Sequence, residues 1–370
     1  MTSRKAQPHA ARRRALLRQA GRGHGIDALL VSAGADVAYL TGFSGQDSFL
    51  LGAAQWGVLI TDGRYVQQAE RECPQLDLHV RTGPMSEAIA AVARQRSVRR
   101  LGVQSEDVCL LQRDALQRKL RGVRLVPLAQ PVAALRATKD AAEVRAVRRA
   151  IRTAQRAFCD LLAGGSGALV GRREREVAAE LDYRMRQGGA DGSAFETIVA
   201  AGPASAMPHY RPGPRRIARD QAVLIDWGAR VGGYCSDLTR VVFTGKIPLE
   251  LTRSYEVVRR AQRAAIAALR PRIKARTADA AARKVIDEAG FGDRFVHGLG
   301  HGLGREVHEA PWLSRTSQTR LRAGMVVTVE PGIYLPGVGG IRIEDDVLIT
   351  SGGRRVLSSL PRTRRTWTVR

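Results

Sequence analysis

The chain has 370 residues, 44% of them hydrophobic and 26% charged, a balance that predicts a globular protein of roughly two domains. Lys and Arg outnumber Asp and Glu by 60 to 35, for a net charge of +25. The apolar runs are too short to span a bilayer, so no membrane association is expected, and four scattered cysteines without a CxxC pair argue against structural zinc or a disulfide framework.

A surplus of positive charge attracts phosphate, but the arginines are spread along the whole chain. Only short clusters occur, at Arg12 to Arg14, Arg215 to Arg216 and Arg362 to Arg365. No aromatic residues interleave with them as platforms for bases, so no specific nucleic-acid partner is expected. The segment MTSRKAQPHAARRRALLRQAGRGHG lacks the apolar stretch and cleavage site of a secretory signal, which predicts a cytoplasmic chain.

Residues 1–12 read as a basic tail. Residues 13–135 then alternate strands and helices. Asp27 to Ser32 is a buried strand, Phe49 to Leu51 and Gly57 to Thr61 a hairpin, and Val66 to Cys73 a helix. Strand Leu76 to Val80, helix Met85 to Arg94, strand Leu101 to Val103, helix Leu110 to Lys119 and strand Val123 to Val126 complete a small α/β domain. It holds no titratable cluster with ligand-like spacing.

Pro131 lies in a linker, and the boundary falls near Leu135. In residues 136–370, Asp140 is an N-cap for a long amphipathic helix carrying Glu143, Val147, Ile151, Ala154 and Phe158. A helix over Glu174 to Arg186, strands at Phe195 to Ala200 and Ala222 to Trp227, and helices over Pro248 to Leu269 and Thr277 to Ala289 follow. The remainder is β-rich, so the second domain is α+β.

That domain contains an internal repeat: VLIDWGARVGGYCSDLTR resembles VVTVEPGIYLPGVGGIRIEDD. Each copy opens on an apolar run ending in an acid, Asp226 or Glu330. Each then has a turn closed by Gly-Gly, with a second acid, Asp237 or Glu344, four residues past it. The glycine pairs supply the positive φ of a hairpin. Two such hairpins packed about a pseudo-twofold axis would aim four carboxylates at one point, where burial is costly without compensating cations.

The stretch HGLGHGLGREVHE, His297 to Glu309, contributes imidazole. Alternate glycines disfavour a helix, no Gly-Lys-Ser/Thr follows as in a phosphate loop, and Pro311 rules out an HExxH zinc helix. In an extended conformation His297, Leu299, His301 and Leu303 share one face. The bland reading is a pair of core histidines. One imidazole with four carboxylates is instead an oxygen-rich set, favouring manganese- or cobalt-like ions in a paired arrangement over one tetrahedral zinc.

The series Asp226, Asp237, His301, Glu330, Glu344 closely resembles the five-ligand site of the pita-bread metallopeptidases, which include methionine aminopeptidase, aminopeptidase P and prolidase. ADVAYLTGFSGQDSFLL and LITDGRYVQQAE resemble the creatinase/prolidase N-terminal domain, which favours the proline-specific branch. The resemblance implies a pita-bread catalytic domain over 136–370 behind a smaller α/β domain over 13–135. It implies two divalent ions, manganese first and cobalt or zinc next. Asp226 would chelate one, His301 and Glu330 the other, with Asp237 and Glu344 bridging.

Glu330 also matches the general acid/base. His209, His297, His308 and Arg342 match substrate-contacting positions, with His209 and His308 counted as catalytic as well. Arg342 has a second reading as the partner of a ligand carboxylate. Asp345 points away from Glu344, and Asp346 is expected to be structural. The implied substrate is a peptide with proline at its second position, cleaved before that proline by an aminopeptidase or a dipeptidase, and the implied assembly is a homodimer. The alternative is an inactive pita-bread module that binds nucleic acid or an acidic protein.

Overall fold

The structure is a computed structural model that describes residues 3–369, excluding the side chains of 3–10, 13, 14 and 19. The chain divides into two compact units, Met1–Arg136 and Ala137–Arg370. Residues 1 and 2 of the expected basic tail lie outside the described residues. The rest of that segment is helical, the first part of helix α1 (Ser3–His24).

In the first unit, β1 (Ala28–Val31), α2 (Gly34–Thr41), β2 (Phe49–Gly52), β3 (Gly57–Asp62), α3 (Val66–Glu72), β4 (Asp77–Arg81), α4 (Met85–Gln95), β5 (Arg100–Gln104), α5 (Leu110–Lys119), β6 (Arg124–Leu128) and α6 (Ala133–Arg136) follow α1. The strands form one sheet ordered β4-β3-β2-β1-β5-β6. β1, β2 and β3 pair antiparallel, and the other neighbours are parallel. Alternate residues of β1 enter separate cores: Leu29 and Val31 pack with Leu40 and Phe43, whereas Ala28 and Leu30 pack with Ile89 and Leu101. Burial on both faces explains why the strand reads as a continuous apolar run. Buried Asp36 accepts from Gln104 Nε2 at 2.6 Å and pairs with Arg136 Nη1 at 2.8 Å.

The second unit begins with α7 (Ala141–Leu162), α8 (Glu174–Gln187), β7 (Gly192–Ser193), β8 (Ile198–Ala201), β9 (Ala222–Trp227), β10 (Ala229–Val231), β11 (Tyr234–Cys235) and β12 (Leu238–Phe243). Helices α9 (Leu249–Ala268) and α10 (Ala275–Glu288) follow. The chain then forms β13 (Gly300–Gly302), β14 (Glu309–Leu313), β15 (Val326–Val329), β16 (Gly332–Leu335), β17 (Gly339–Arg342), β18 (Asp345–Thr350) and β19 (Gly353–Val356). Asp140 caps α7, accepting from the Ala142 and Glu143 amides at 2.8 and 2.9 Å, while Glu143 Oε2 accepts from the Asp140 amide at 3.0 Å. Phe158 on the buried face of α7 stacks on Trp227 at 4.2 Å, and the Trp227 indole donates to the Ala154 carbonyl. That packing fixes the end of β9.

The repeat is present as two β-ribbons of the same plan. β9 pairs with β12 and β15 with β18, each pair antiparallel. Beyond each pair the chain continues into a short hairpin, β10 with β11 and β16 with β17. The two turns use their glycines differently. Gly232 and Gly233 have φ of 59° and 73°, as a tight hairpin turn requires. In the second ribbon Gly337 and Gly339 take the positive φ, and a Cβ on Gly340 would lie 2.1 Å from the Ser205 carbonyl oxygen. Gly340 therefore serves close backbone approach, a correction to the single role expected for both pairs.

Two further expectations change. The strand near Phe195 begins only at Ile198, which leaves Phe195 and Glu196 in a loop. Around His301 the regular strand is limited to Gly300–Gly302, and its register on β14 shifts between the two glycines. Leu299 and Leu303 enter two apolar cores while His297 and His301 line a cavity, so the four side chains do not share one face.

Candidate metal centre

The acids sit where the paired strands give way to the short hairpins. Asp226 is next to last in β9, Asp237 lies between β11 and β12, Glu330 between β15 and β16, and Glu344 between β17 and β18. Asp226 is still in its ladder, paired with Thr239 and Ile198, whereas the other three acids lie at breaks between strands, where a side chain can turn toward the other ribbon. His301 arrives from β13, which is threaded between β14 and β15. Cβ atoms on Gly300 and Gly302 would meet the carbonyl oxygens of Thr328 and Ala310 at 2.3 and 2.2 Å, so that strand position accepts only glycine.

All five side chains line one cavity of about 740 Å³, together with His209, His297, His308 and Arg342. Among the described residues, Asp237, His301 and Glu344 each offer a ligand atom within 4.8 Å of the others. His301 Nε2 lies 3.3 Å from Glu330 Oε1 and 3.6 Å from Asp237 Oδ2. Asp226 is held through Oδ2 by Arg342 Nη2 at 2.5 Å.

The electrostatics are those of crowded acids. Burial, reinforced by repulsion from Glu344, Asp226 and Glu330, pushes the Asp237 carboxyl well above its ordinary range. Burial and the charges of Glu330 and Asp226 do the same to Glu344, and burial raises Asp226 against the pull of Arg342. Glu330 moves the other way, to about 2, because its hydrogen bond to His301 and the nearby positive charges outweigh its burial. Burial would lower His301, but the hydrogen bond and charge of Glu330 raise it.

The residues fit a bound divalent cation on three observations. Asp226 Oδ1 and Glu344 Oε1 are buried without any hydrogen-bond partner, a costly state for a carboxylate. His301 Nδ1 donates to the carbonyl of Gly302 at 3.1 Å, so Nε2, which faces two carboxylates and carries a proton while it bonds Glu330, is the nitrogen that would bind a cation on losing that proton. The donor set of four carboxylates and one imidazole suits oxygen-loving divalent ions.

Several supporting residues escaped the sequence reading. Thr239, two positions past Asp237, donates to Glu344 Oε2 at 2.7 Å and accepts from Arg342 Nε at 3.1 Å. Thr328, two positions before Glu330, donates to its Oε1 at 3.2 Å and accepts from the His301 amide at 3.0 Å. The threonines are not equivalent in the repeat, since aligning the acids matches Thr239 with Asp346 and Thr328 with Leu224, so the only sequence signal for each is its two-residue spacing from an acid. Tyr334 had no such signal. Its hydroxyl accepts from Arg342 Nη1 at 2.8 Å and donates to His297 Nε2 at 2.8 Å, since His297 Nδ1 donates to the Gly298 carbonyl.

The residues matched to substrate contacts fall into two groups. His209 and His308 are exposed at the cavity, and His308 lies edge-on to His301 at 4.3 Å with Trp312 beyond it. Partial burial and the neighbouring His301 lower the His308 pKa, and burial lowers that of His297. Arg342 is only 3% exposed and spends its guanidinium on Asp226, Tyr334, Thr239 and the Pro208 carbonyl. Asp345 points away from the cavity into a fully buried pair with Arg240 at 2.9 Å. Asp346 accepts from the Asp237 amide at 3.2 Å.

A metallopeptidase with a two-part chain is the class that this fold and site define. The sequence matches the family model for metallopeptidase family M24 over residues 145–351 and that for the creatinase/prolidase N-terminal domain over residues 13–138. The chain belongs to metallopeptidase family M24, and is a hydrolase with the pita-bread fold. An uncharacterized peptidase of Bacillus subtilis, YqhT, is 37% identical over 91% of this chain and 95% of its own length. Among solved structures, a Xaa-Pro dipeptidase from Bacillus anthracis superposes with a TM-score of 0.91 at 35% identity, covering 95% of this chain and 98% of that one. An X-Pro aminopeptidase from Thermotoga maritima gives 0.86 at 35% identity, covering 93% and 99%. These relatives support the peptidase expectation and not the inactive binding module. Among the described residues, no helix is long and apolar enough to cross a membrane.

Proposed function

We propose that this chain hydrolyses the bond between an N-terminal residue and a following proline, as an Xaa-Pro dipeptidase or aminopeptidase. One observation carries the reading: two ribbons of one plan bring Asp226, Asp237, Glu330 and Glu344 around a single cavity with His301, leaving buried carboxylate oxygens unmatched. Asp226, Asp237, His301, Glu330 and Glu344 would hold two divalent ions, manganese first and cobalt or zinc as alternatives. When bound, such ions lower the pKa of water and polarise a carbonyl.

Glu330, which lines the cavity with Oε1 3.3 Å from His301 Nε2, takes up the proton of the attacking water and delivers it to the prolyl nitrogen. That nitrogen belongs to a tertiary amide, which must be protonated to leave. His308, exposed and with a lowered pKa, donates from its neutral ring to the developing oxyanion. His209, also exposed on the cavity, hydrogen-bonds the prolyl side. His297 has both ring nitrogens engaged, so it presents a ring face to the pyrrolidine instead of a donor. Arg342 lines the cavity and orients Asp226 beside the substrate. Residues 13–135 form the N-terminal domain and 136–370 the catalytic domain of a homodimer, as the family resemblance implies.

The test is to strip the protein of metal, reload it with manganese, count bound metal per chain, and compare an Xaa-Pro dipeptide with an Xaa-Pro-Xaa tripeptide. Metal uptake with cleavage before proline is expected. A loaded protein that cleaves neither peptide would overturn the assignment.

A further inference from the structure

Gln262 lies on α9, entirely buried among apolar residues such as Val258, Ala261 and Ala265. Its Nε2 is 3.3 Å from the carbonyl oxygen of Val329, 3.1 Å from that of Ile343 and 2.9 Å from Asp345 Oδ2. All three neighbours are acceptors, so the amide orientation is fixed: the NH2 must face them. Gln262 Oε1 then has no partner at all. An apolar residue would suit that helix face better, so packing alone does not account for a glutamine here.

The two carbonyls have a common property. Val329 immediately precedes Glu330, and Ile343 immediately precedes Glu344. Val329 and Asp345 are direct partners at the last rung of β15 and β18, where the ladder ends and the two acids leave it for the cavity. Between that rung and the first rung of the β16–β17 hairpin, Gly332 with Arg342, the short stretches that carry Glu330 and Glu344 have no ladder pairing to set their separation. One side-chain amide spans the gap from behind, while Arg240 Nη1 holds the Glu344 carbonyl at 2.6 Å.

We infer that Gln262 is a positioning residue of the metal centre: it ties together the two strand ends that carry Glu330 and Glu344 and so sets the spacing of their carboxylates. The inference rests on the metal-centre reading above. It gives α9, which contributes no residue to the cavity lining, a direct part in cation affinity.

The experiment compares manganese binding by calorimetry for the full chain, Gln262→Met and Gln155→Met, each stripped of metal beforehand. Gln155 is a buried glutamine of the same domain that bonds only to Ser359 and Leu360, away from the acids, and so controls for general destabilisation. Thermal unfolding without metal is recorded for all three. Q262M is expected to lose about tenfold or more in affinity, as residues that orient ligands do, with Q155M close to wild type whatever its melting temperature. Gln262→Asn keeps the amide but withdraws it by one methylene. It should show the same loss, and it replaces Q262M if that variant does not fold. Wild-type affinity in the folded Gln262 variants, or an equal loss in Q155M, overturns the inference. A wild-type chain that binds no manganese overturns the metal-centre reading itself.

Discussion

Arg342 donates from Nη2 to Asp226 Oδ2 at 2.5 Å while Asp226 Oδ1 stays buried and unpartnered, so one oxygen is fixed by protein and the other is left to a cation. Lys cannot reproduce this, because the same guanidinium also holds Thr239 and Tyr334 through its other nitrogens. Arg342→Lys should lower metal affinity and turnover by roughly 10- to 100-fold with the fold retained. Metal titration and steady-state kinetics on one sample would show it. Unchanged metal affinity would mean that Asp226 needs no orienting partner.

Thr239 donates to Glu344 and accepts from Arg342 at once. Thr239→Val keeps the volume and removes both bonds, so about tenfold weaker metal binding is expected. Thr239→Ser keeps the hydroxyl and should restore most of it. If valine and serine behave alike, the hydroxyl has no such role.

The raised carboxyls of Asp237 and Glu344 set a pH dependence in the metal-free protein. Their folded pKa values lie above the ordinary 3.8 and 4.5, so between those values and the folded ones the native state binds more protons than the unfolded state. Stability from these groups therefore falls as pH rises through that window and is recovered on acidification toward it. Glu344→Gln removes one acid and should flatten the slope of melting temperature against pH without metal. A slope as steep as wild type would contradict the crowding.

His308 is exposed on the cavity, and among the described residues its ring has no hydrogen-bond partner, so His308→Phe should leave melting temperature and metal content near wild type. Loss of an oxyanion donor commonly costs about 10²-fold in kcat, and the loss is expected in kcat rather than KM. An effect confined to KM would move His308 from the chemistry to simple binding.

Asp140→Ala probes the fold apart from the site. The N-cap bonds to Ala142 and Glu143 would be lost, costing about 1 kcal/mol, or roughly 2–4 °C in melting temperature. Metal affinity should not change. A melting temperature equal to wild type would show that the cap is dispensable.

Local chemistry made much of this protein legible in its sequence. The acids Asp226, Asp237, Glu330 and Glu344 could be found because a repeated frame of apolar run, acid, glycine turn and acid is a short-range pattern. The Asp140 cap and the α7 face follow from neighbours within one helical turn. The helix through the basic segment could not be found, since its arginines carry no strong apolar period. Only the tertiary structure brought His301 to Glu330, gave Arg342 to Asp226, linked Tyr334 with His297, and placed Gln262 behind two strand ends. Those contacts join residues tens of positions apart, and their partners are chosen by how strands and helices pack. A sequence fixes which groups are available and their local conformation, whereas distance and burial, which set pKa and cation affinity, exist only once the ribbons have closed on each other.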